Sequence, residues 1–158
     1  MTIYAGPAYT HKHVSIGPPS AETLRCLPQG TDVSSEALYW FNAASSREDI
    51  CCFGIYWRQL AVGQIFLRDV NPQTGESLVG YHLFAPQYRG RGIGTAALGL
   101  LQRFVAETSA LSRLVIITSC DNAASQAIAR KAGFAYAGTP RKDPATGMVF
   151  VWQVPDRP

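Results

Sequence analysis

The apolar positions change their spacing along the chain, and each change marks an element. The opening third mixes turn residues with short helical candidates. "IGPPSAETL" offers Ser20 as an N-cap after a Pro pair, and "SSEALYWFNAA" offers Ser34 or Ser35 as the cap of a second helix. Two strand-like runs follow, "ICCFGIYW" (50–57) and "LAVGQIFLRDV" (60–70), joined by the short "RQ". "NPQTGE" (71–76) holds the Asn, Pro and Gly of a turn, and "SLVGYHLF" (77–84) predicts the next strand.

From Arg91 the period lengthens. Ile93, Ala97, Leu100, Leu101, Phe104, Val105 and Thr108 fall on one face of a helix running to about residue 109. "RLVIIT" (113–118) is a continuous apolar, β-branched run, the pattern of a central strand covered on both faces. "DNAASQAIARKAG" (121–133) predicts a helix capped by Asp121 or Asn122 and closed by Gly133. "FAYAG" and "MVFVWQV" complete the pattern as strands around the turn "PRKDPATG". The order is helices, antiparallel meander, helix, strand, helix, hairpin. It predicts an α+β fold, a mixed and mostly antiparallel central sheet of about six to seven strands flanked by helices.

Length and composition narrow the class. At 158 residues, 47% hydrophobic and 16% charged, residues 1–158 predict one globular domain with a single core. No apolar run is long enough to span a bilayer, so no membrane partner is expected. "MTIYAGPAYTHKHV" lacks a charged-then-apolar signal pattern, which makes the cytoplasm the expected compartment. The net charge of +3 comes without a basic stripe or tail, so nucleic acid is not an expected partner and a local anionic ligand fits better. The four cysteines, at 26, 51, 52 and 120, lack paired two-residue spacing; buried thiols are expected rather than a zinc or redox site. His11 and His13 share a predicted strand face, but two ligands without a third make a poor metal site, and no metal is expected.

The chemistry concentrates in "HLFAPQYRGRGIGTAAL" (82–98), where a strand runs through glycine and arginine into a helix. That arrangement presents unpartnered backbone N–H groups at the positive end of a helix, a setting suited to phosphate. Gly90, Gly92 and Gly94 permit positive φ and close approach of a ligand, and Arg89 and Arg91 add charge. A nucleoside-triphosphatase loop would need Gly-Lys-Ser/Thr after the nest. A dinucleotide fold would place the turn after its first strand. Neither pattern is met.

"RGRGIG" matches, at Arg89, Gly92 and Gly94, the Arg/Gln-x-x-Gly-x-Gly/Ala motif of the GNAT-type N-acetyltransferases. "NAASQAIARKAGF" (122–134) resembles that family's Asn-x-x-Ser…Gly-Phe segment, in the form nearest to the Rim-type branch that acetylates ribosomal-protein N-termini. The resemblance covers about residues 50–154. It implies the GNAT fold with a splayed strand pair, 77–84 against 113–118, and acetyl-CoA as cosubstrate. It implies that backbone groups near Leu83, Phe84 and Ala85 pair with the pantetheine arm, the Phe84 N–H polarising the thioester carbonyl. The pyrophosphate would sit on the amides of Arg89, Gly90, Arg91, Gly92, Ile93, Gly94 and Thr95. Asn122 and Ser125 would contact the arm near its sulfur.

Amide formation from a thioester needs a neutral amine, an oxyanion donor and a proton for the thiolate. Many relatives place a Tyr acid seven residues after the motif Asn, where this chain has Ala129. Ser125 and Tyr136 are the candidate replacements, and either is equally a structural residue. His82 is the candidate base, or else a packed core histidine sharing the face of Phe84; Glu76 is a second candidate base, or part of the turn. Cys120 after the cleft strand invites an acetyl-cysteine intermediate, but the family transfers directly to the amine. Tyr39, Trp40, Phe41 and Trp57 border the expected acceptor pocket unless they are core. The acids of the N-terminal third, Glu22, Asp32, Glu36, Glu48 and Asp49, are spread out, unlike the acidic lining that a polyamine or aminoglycoside would require. The expected activity is acetyl transfer to a primary amine, a protein or peptide N-terminus before a small molecule. The alternative is a catalytically idle acyl-CoA-binding module for sensing or regulation. The sequence leaves a homodimer open.

Overall fold

Two faces of one sheet take up the apolar side chains. The computed structural model describes residues 3–27 and 32–156, the side chain of residue 32 excepted. Eight strands form a single sheet in the order β1-β2-β3-β4-β5-β6-β8-β7. They are β1 (Tyr9–His11), β2 (Val14–Gly17), β3 (Cys51–Trp57), β4 (Leu60–Asn71), β5 (Glu76–Leu83), β6 (Arg113–Ser119), β7 (Ala135–Tyr136) and β8 (Gly147–Gln153). Every neighbouring pair is antiparallel except β5–β6.

The helices are α1 (Ala21–Cys26), α2 (Asp32–Ser46), α3 (Ile93–Thr108) and α4 (Ala123–Lys131). On one face, Ile93, Ala97, Leu98, Leu101 and Val105 of α3 pack with Ile16, Phe53, Ile65 and Val79, and Ala129 of α4 joins the same core beside Leu114 and Phe150. On the opposite face, Trp40, Ala43 and Ala44 of α2 pack with Cys52 and Phe66. The predicted α3 stripe is the buried one, but Thr108 at its end is exposed and returns its hydroxyl to Phe104 O.

The sheet has more strands than the apolar pattern predicts because the chain opens on the β1–β2 hairpin. Strands of three and four residues are too short to show a period; they form because Val14 and Ile16 pair with Trp57 and Ile55 of β3. His11 and His13 therefore flank a turn at Lys12 (φ 54°) rather than sharing a strand, and both are exposed. Among the described residues no group of three or more His, Cys, Asp or Glu could hold a metal ion.

Local chemistry sets the other turns. Ser20 Oγ accepts from Thr23 N–H and caps α1. Ser34 and Ser35 lie inside the first turn of α2, which begins at Asp32, so neither is its cap. Arg58 and Gln59 both take positive φ, 51° and 69°, making a two-residue turn whose twist suits the β3–β4 hairpin. In the β4–β5 turn, Asn71 Oδ1 accepts from the Gln73 and Thr74 amides.

The feature that positions the site is a divergence of strands. β5 and β6 pair only at Glu76↔Arg113, Ser77↔Leu114 and Leu78↔Val115. Beyond that point β5 stays bonded to β4 as far as Leu83, and β6 to β8 as far as Ser119. β6 is thus buried on both faces only in its first half: Leu114, Val115 and Ile116 are buried, while Ile117 is 43% exposed. Among the described residues no helix is long and apolar enough to cross a membrane.

Candidate active site at the strand divergence

Backbone polar groups taken from water need partners, and among the described residues the inner edges of β5 and β6 have no strand partner past Leu78 and Val115. Alternation decides which amides face that gap. Phe84 N–H donates to Val62 O (2.8 Å), so it points away from the gap, toward β4. In an antiparallel ladder the amides two residues back point the same way and those between point oppositely. The open amides are therefore those of Leu83 and Tyr81. The Phe84 amide, expected in the oxyanion role, is thus spent on Val62 O, and the amide next to it that faces the gap is that of Leu83. Ala85 continues in extended backbone (φ −149°, ψ 149°), and its carbonyl accepts from Tyr88 N–H in the short 3-10 turn Pro86–Tyr88.

The glycine-rich corner follows directly. Arg89 N–H is spent on Pro86 O, so the run of available amides begins after it. Gly90 and Gly92 sit at φ 72° and 77°, left-handed backbone that favours glycine, and a Cβ on either would meet nothing within 4 Å. Gly92 is the N-cap of α3 and supplies no side-chain acceptor. The first helical bond is Ala96 N–H to Gly92 O, which leaves the amides of Ile93, Gly94 and Thr95 at the helix mouth. Gly94 has a packing reason instead: a Cβ there would lie 3.1 Å from Ile128 Cδ1 of α4. Arg91 Nε donates to Gln87 O (2.9 Å) and its guanidinium covers the Trp57 ring at 5.2 Å. A groove of about 720 Å³ adjoins this mouth, with Lys12, Arg91, Arg103 and Lys131 along it. Those cations are scattered in sequence, so no basic cluster announces the groove.

One side of the gap carries hydroxyls. Asn122 caps α4, its Oδ1 accepting from Ser125 N–H at 3.0 Å. Ser125 Oγ lies 3.0 Å from the Tyr81 hydroxyl, across from α4 to β5. Burial pushes the Tyr81 phenol above its ordinary value, while the Ser125 hydrogen bond pulls the other way. Ala129, one turn beyond Ser125, is fully buried. Tyr136 does not join this group: it is on edge strand β7, separated from β5 by β8 and β6, 53% exposed and set against Phe150. Cys120 is exposed just past the end of β6.

The opposite face carries the imidazole. His82 Nε2 is 2.7 Å from Gln64 Oε1, and Nδ1 is 3.7 Å from Glu36 Oε2 of α2. Burial holds the His82 pKa below its ordinary value, with the Glu36 carboxylate opposing. The ring is neighboured by Phe84 at 5.9 Å and Phe66 at 6.4 Å, and Phe66 stacks on Trp40 at 4.3 Å. Tyr39, beside Trp40, is exposed, whereas Trp57 belongs to the helix mouth rather than to this pocket. Glu76 is not placed to act as a base: it is ion-paired with Arg113 Nη2 (2.7 Å) at the closed end of the divergence. Asp49 is likewise paired, with Arg47, and the Asp32 side chain lies outside the described residues. Tyr81 and Gln64 were not singled out by the sequence, and Glu36 stood there only among scattered acids; the one signal was Gln64, a polar residue inside the otherwise apolar first part of β4, residues 60–67.

Residues 13–135 match the acetyltransferase (GNAT) domain family. Among solved structures, the chain is similar to a ribosomal L7/L12 alpha-N-protein acetyltransferase in complex with coenzyme A. The identity is 17% and the TM-score 0.75, over 94% of this chain and 98% of that one. It is similar to an acetyltransferase from Salmonella typhimurium that modifies the N-terminal serine of ribosomal protein L7/L12 (15% identity, TM-score 0.77, 94% and 100% covered). It is also similar to the microcin C7 self-immunity acetyltransferase in complex with acetyl-CoA and AMP (15%, 0.72, 91% and 94%). At these identities the likeness establishes the fold. No curated protein matches the chain.

Proposed function

The chain belongs to the GNAT family of N-acetyltransferases, and from that premise we propose that it moves an acetyl group from acetyl-CoA to the α-amine of a peptide or protein. The observation that carries the reading is the divergence of β5 and β6 beside the α3 mouth. It offers unpaired strand edges for an extended arm and left-handed glycines open to a pyrophosphate, a fit to coenzyme A. Two of the similar structures hold coenzyme A or acetyl-CoA, which supports the same assignment.

Acetyl-CoA supplies an acyl group already activated as a thioester. The chain's own residues do the rest. Ile93, Gly94 and Thr95 amides, with Gly90 and Gly92, hold the pyrophosphate. The Leu83 N–H is the preorganised donor for the oxygen on which charge develops. His82, facing α2, takes the proton from the amine, and the Ser125–Tyr81 hydroxyl pair returns one to the departing thiolate from the α4 face. Base and acid stand on opposite faces of the sheet with the gap between them, so the amine and the thiol use different sides.

The α-amine is favoured by chemistry. A peptide α-amine has a pKa of about 8, against about 10.4 for lysine, and a buried histidine is a weak base. Among the described side chains, the carboxylate set against His82 is that of Glu36, not the acidic lining that a polyamine would require. Two of the similar enzymes act on protein N-termini, which supports the same choice. The reading as an idle acyl-CoA-binding module rested on Ala129; the Tyr81–Ser125 pair supplies the hydroxyl which that position lacks.

The test is isothermal titration with acetyl-CoA, followed by thiol release over peptides with free or blocked N-termini, lysine and spermidine. Binding with release from free N-termini is expected. Binding without release from any amine would make the chain a binding module, and no binding would overturn both readings.

A further inference from the structure

Gln64 is 1% exposed, a polar side chain in the middle of strand β4. Both ends of its amide are occupied. Nε2 donates to Ala37 O of α2 at 3.0 Å, and Oε1 meets His82 Nε2 at 2.7 Å. The orientation is determined, because a carbonyl only accepts: the NH₂ end must face Ala37, so the oxygen must face His82. An amide oxygen also only accepts. His82 Nε2 must therefore carry a hydrogen, and in the neutral ring the lone pair sits on Nδ1. Nδ1 is the atom that faces Glu36, whose side chain is 57% exposed, while that of His82 is 14% exposed.

We propose that Gln64 and Glu36 are positioning residues of the acetyl transfer: Gln64 locks His82 as the Nε2–H tautomer, and Glu36 stands ready for the imidazolium formed at Nδ1. The proposal rests on the reading of His82 as the base. Without Gln64 the ring could hold its hydrogen on Nδ1, toward the carboxylate, and its lone pair would point into the core. The step balances simply. An acceptor arriving as an ammonium ion first loses one proton to water; the neutral nitrogen's electron pair then forms the C–N bond as the C–S bond breaks. Its second proton passes to Nδ1, the departing thiolate takes a proton from the Tyr81–Ser125 pair, which water restores, and the imidazolium stays opposite Glu36 until its proton passes to water. Glu36 is the charged group set against the imidazole; Phe66 of β4 and Phe84 after β5, its ring neighbours, carry none. The same carboxylate, at the exposed rim, attracts an acceptor that arrives as an ammonium ion.

The test reads the tautomer directly, in the full-length free protein, by two-bond nitrogen–proton correlation of ¹⁵N-labelled histidine. Nε2–H is expected at His82, relaxing to a mixture in Gln64→Met. In transfer assays, Gln64→Met should lower kcat about tenfold with the KM for acetyl-CoA unchanged. Glu36→Gln, at an exposed site that folding tolerates, should move the acid limb of kcat/KM down by about half a pH unit to one unit. Nδ1–H in the parent overturns the proposal. So does an unshifted limb in Glu36→Gln together with parental kcat in Gln64→Met. A parent that transfers to no amine would overturn the acetyltransferase reading instead, and the two failures stay distinct because the tautomer is measured without substrate.

Discussion

The hydroxyls of Tyr81 and Ser125 lie 3.0 Å apart and join strand β5 to helix α4 across one face of the gap. Burial keeps the Tyr81 phenol protonated at neutral pH, so the pair can donate. A phenol thus reaches this face from the strand, although the helix position that carries one in many relatives is Ala129.

Tyr81→Phe and Ser125→Ala are each expected to lower kcat about tenfold, the modest size reflecting a thiol whose pKa near 8.5 makes it an easy leaving group. Acetyl-CoA affinity should hold. Because the two hydroxyls act as a unit, the double variant should be little slower than either single one. Thiol-release kinetics decide this, and fully multiplying effects would separate the two roles.

Gly92 and Gly99 should respond oppositely to alanine. Gly92 has φ 77° and Gly99 is helical, and a Cβ meets nothing within 4 Å at either. Gly92→Ala therefore costs about 1 kcal/mol of left-handed backbone strain, whereas Gly99→Ala gains about 0.5–1 kcal/mol of helix propensity. Urea unfolding measures both. Titration of Gly92→Ala should also show acetyl-CoA bound at least tenfold more weakly; unchanged affinity would remove the pyrophosphate from the α3 mouth.

Stability should fall on acidification through His82. Burial, the larger cause, depresses its folded pKa below the unfolded value of about 6.5. Below that pH the unfolded chain binds a proton that the folded chain resists. The histidine's contribution is complete above about 6.5 and is lost as pH falls through the folded value. Unfolding free energies at steps between pH 7.5 and 5 should drop more steeply for the parent than for His82→Gln. Parallel curves would mean that the imidazole is not held neutral.

The thiols should separate by position. Cys51 and Cys52 are buried, and burial pushes the Cys52 thiol up to about 12. Cys26 and Cys120 are exposed. Mass spectrometry after alkylation of the native protein at pH 8 should find label on Cys26 and Cys120, and on all four only after unfolding. Direct transfer to the amine further requires Cys120→Ser to keep parental turnover; its loss would revive an acetyl-cysteine route.

Legibility tracked the distance over which each feature is determined. The α3 stripe, the Ser20 cap and the Asn122 cap rest on contacts within one or two helical turns, and the periodicity and cap chemistry show them. Of the β1–β2 hairpin only an extended stretch at His11 and His13 was read, and its turn at Lys12 was missed, because β3 organises the hairpin from across the chain. The side that the Phe84 amide faces was hidden for a subtler reason. Neighbouring amides of a strand point to opposite sides, and only the bond to Val62 O tells which side each one faces.

Beside the family resemblance that its two motifs carry, the sequence by itself determined that the chain builds a mostly antiparallel sheet and that a glycine mouth opens α3. Those are near-neighbour properties: φ preference, hydrophobic period, capping. Only the tertiary structure decided which side chains act together. Tyr81 meets Ser125 over 44 residues, Gln64 meets Ala37 over 27, and His82 meets Gln64 over 18. No local preference encodes such a meeting. It follows from which face of the sheet each side chain takes and from the point at which β5 and β6 part.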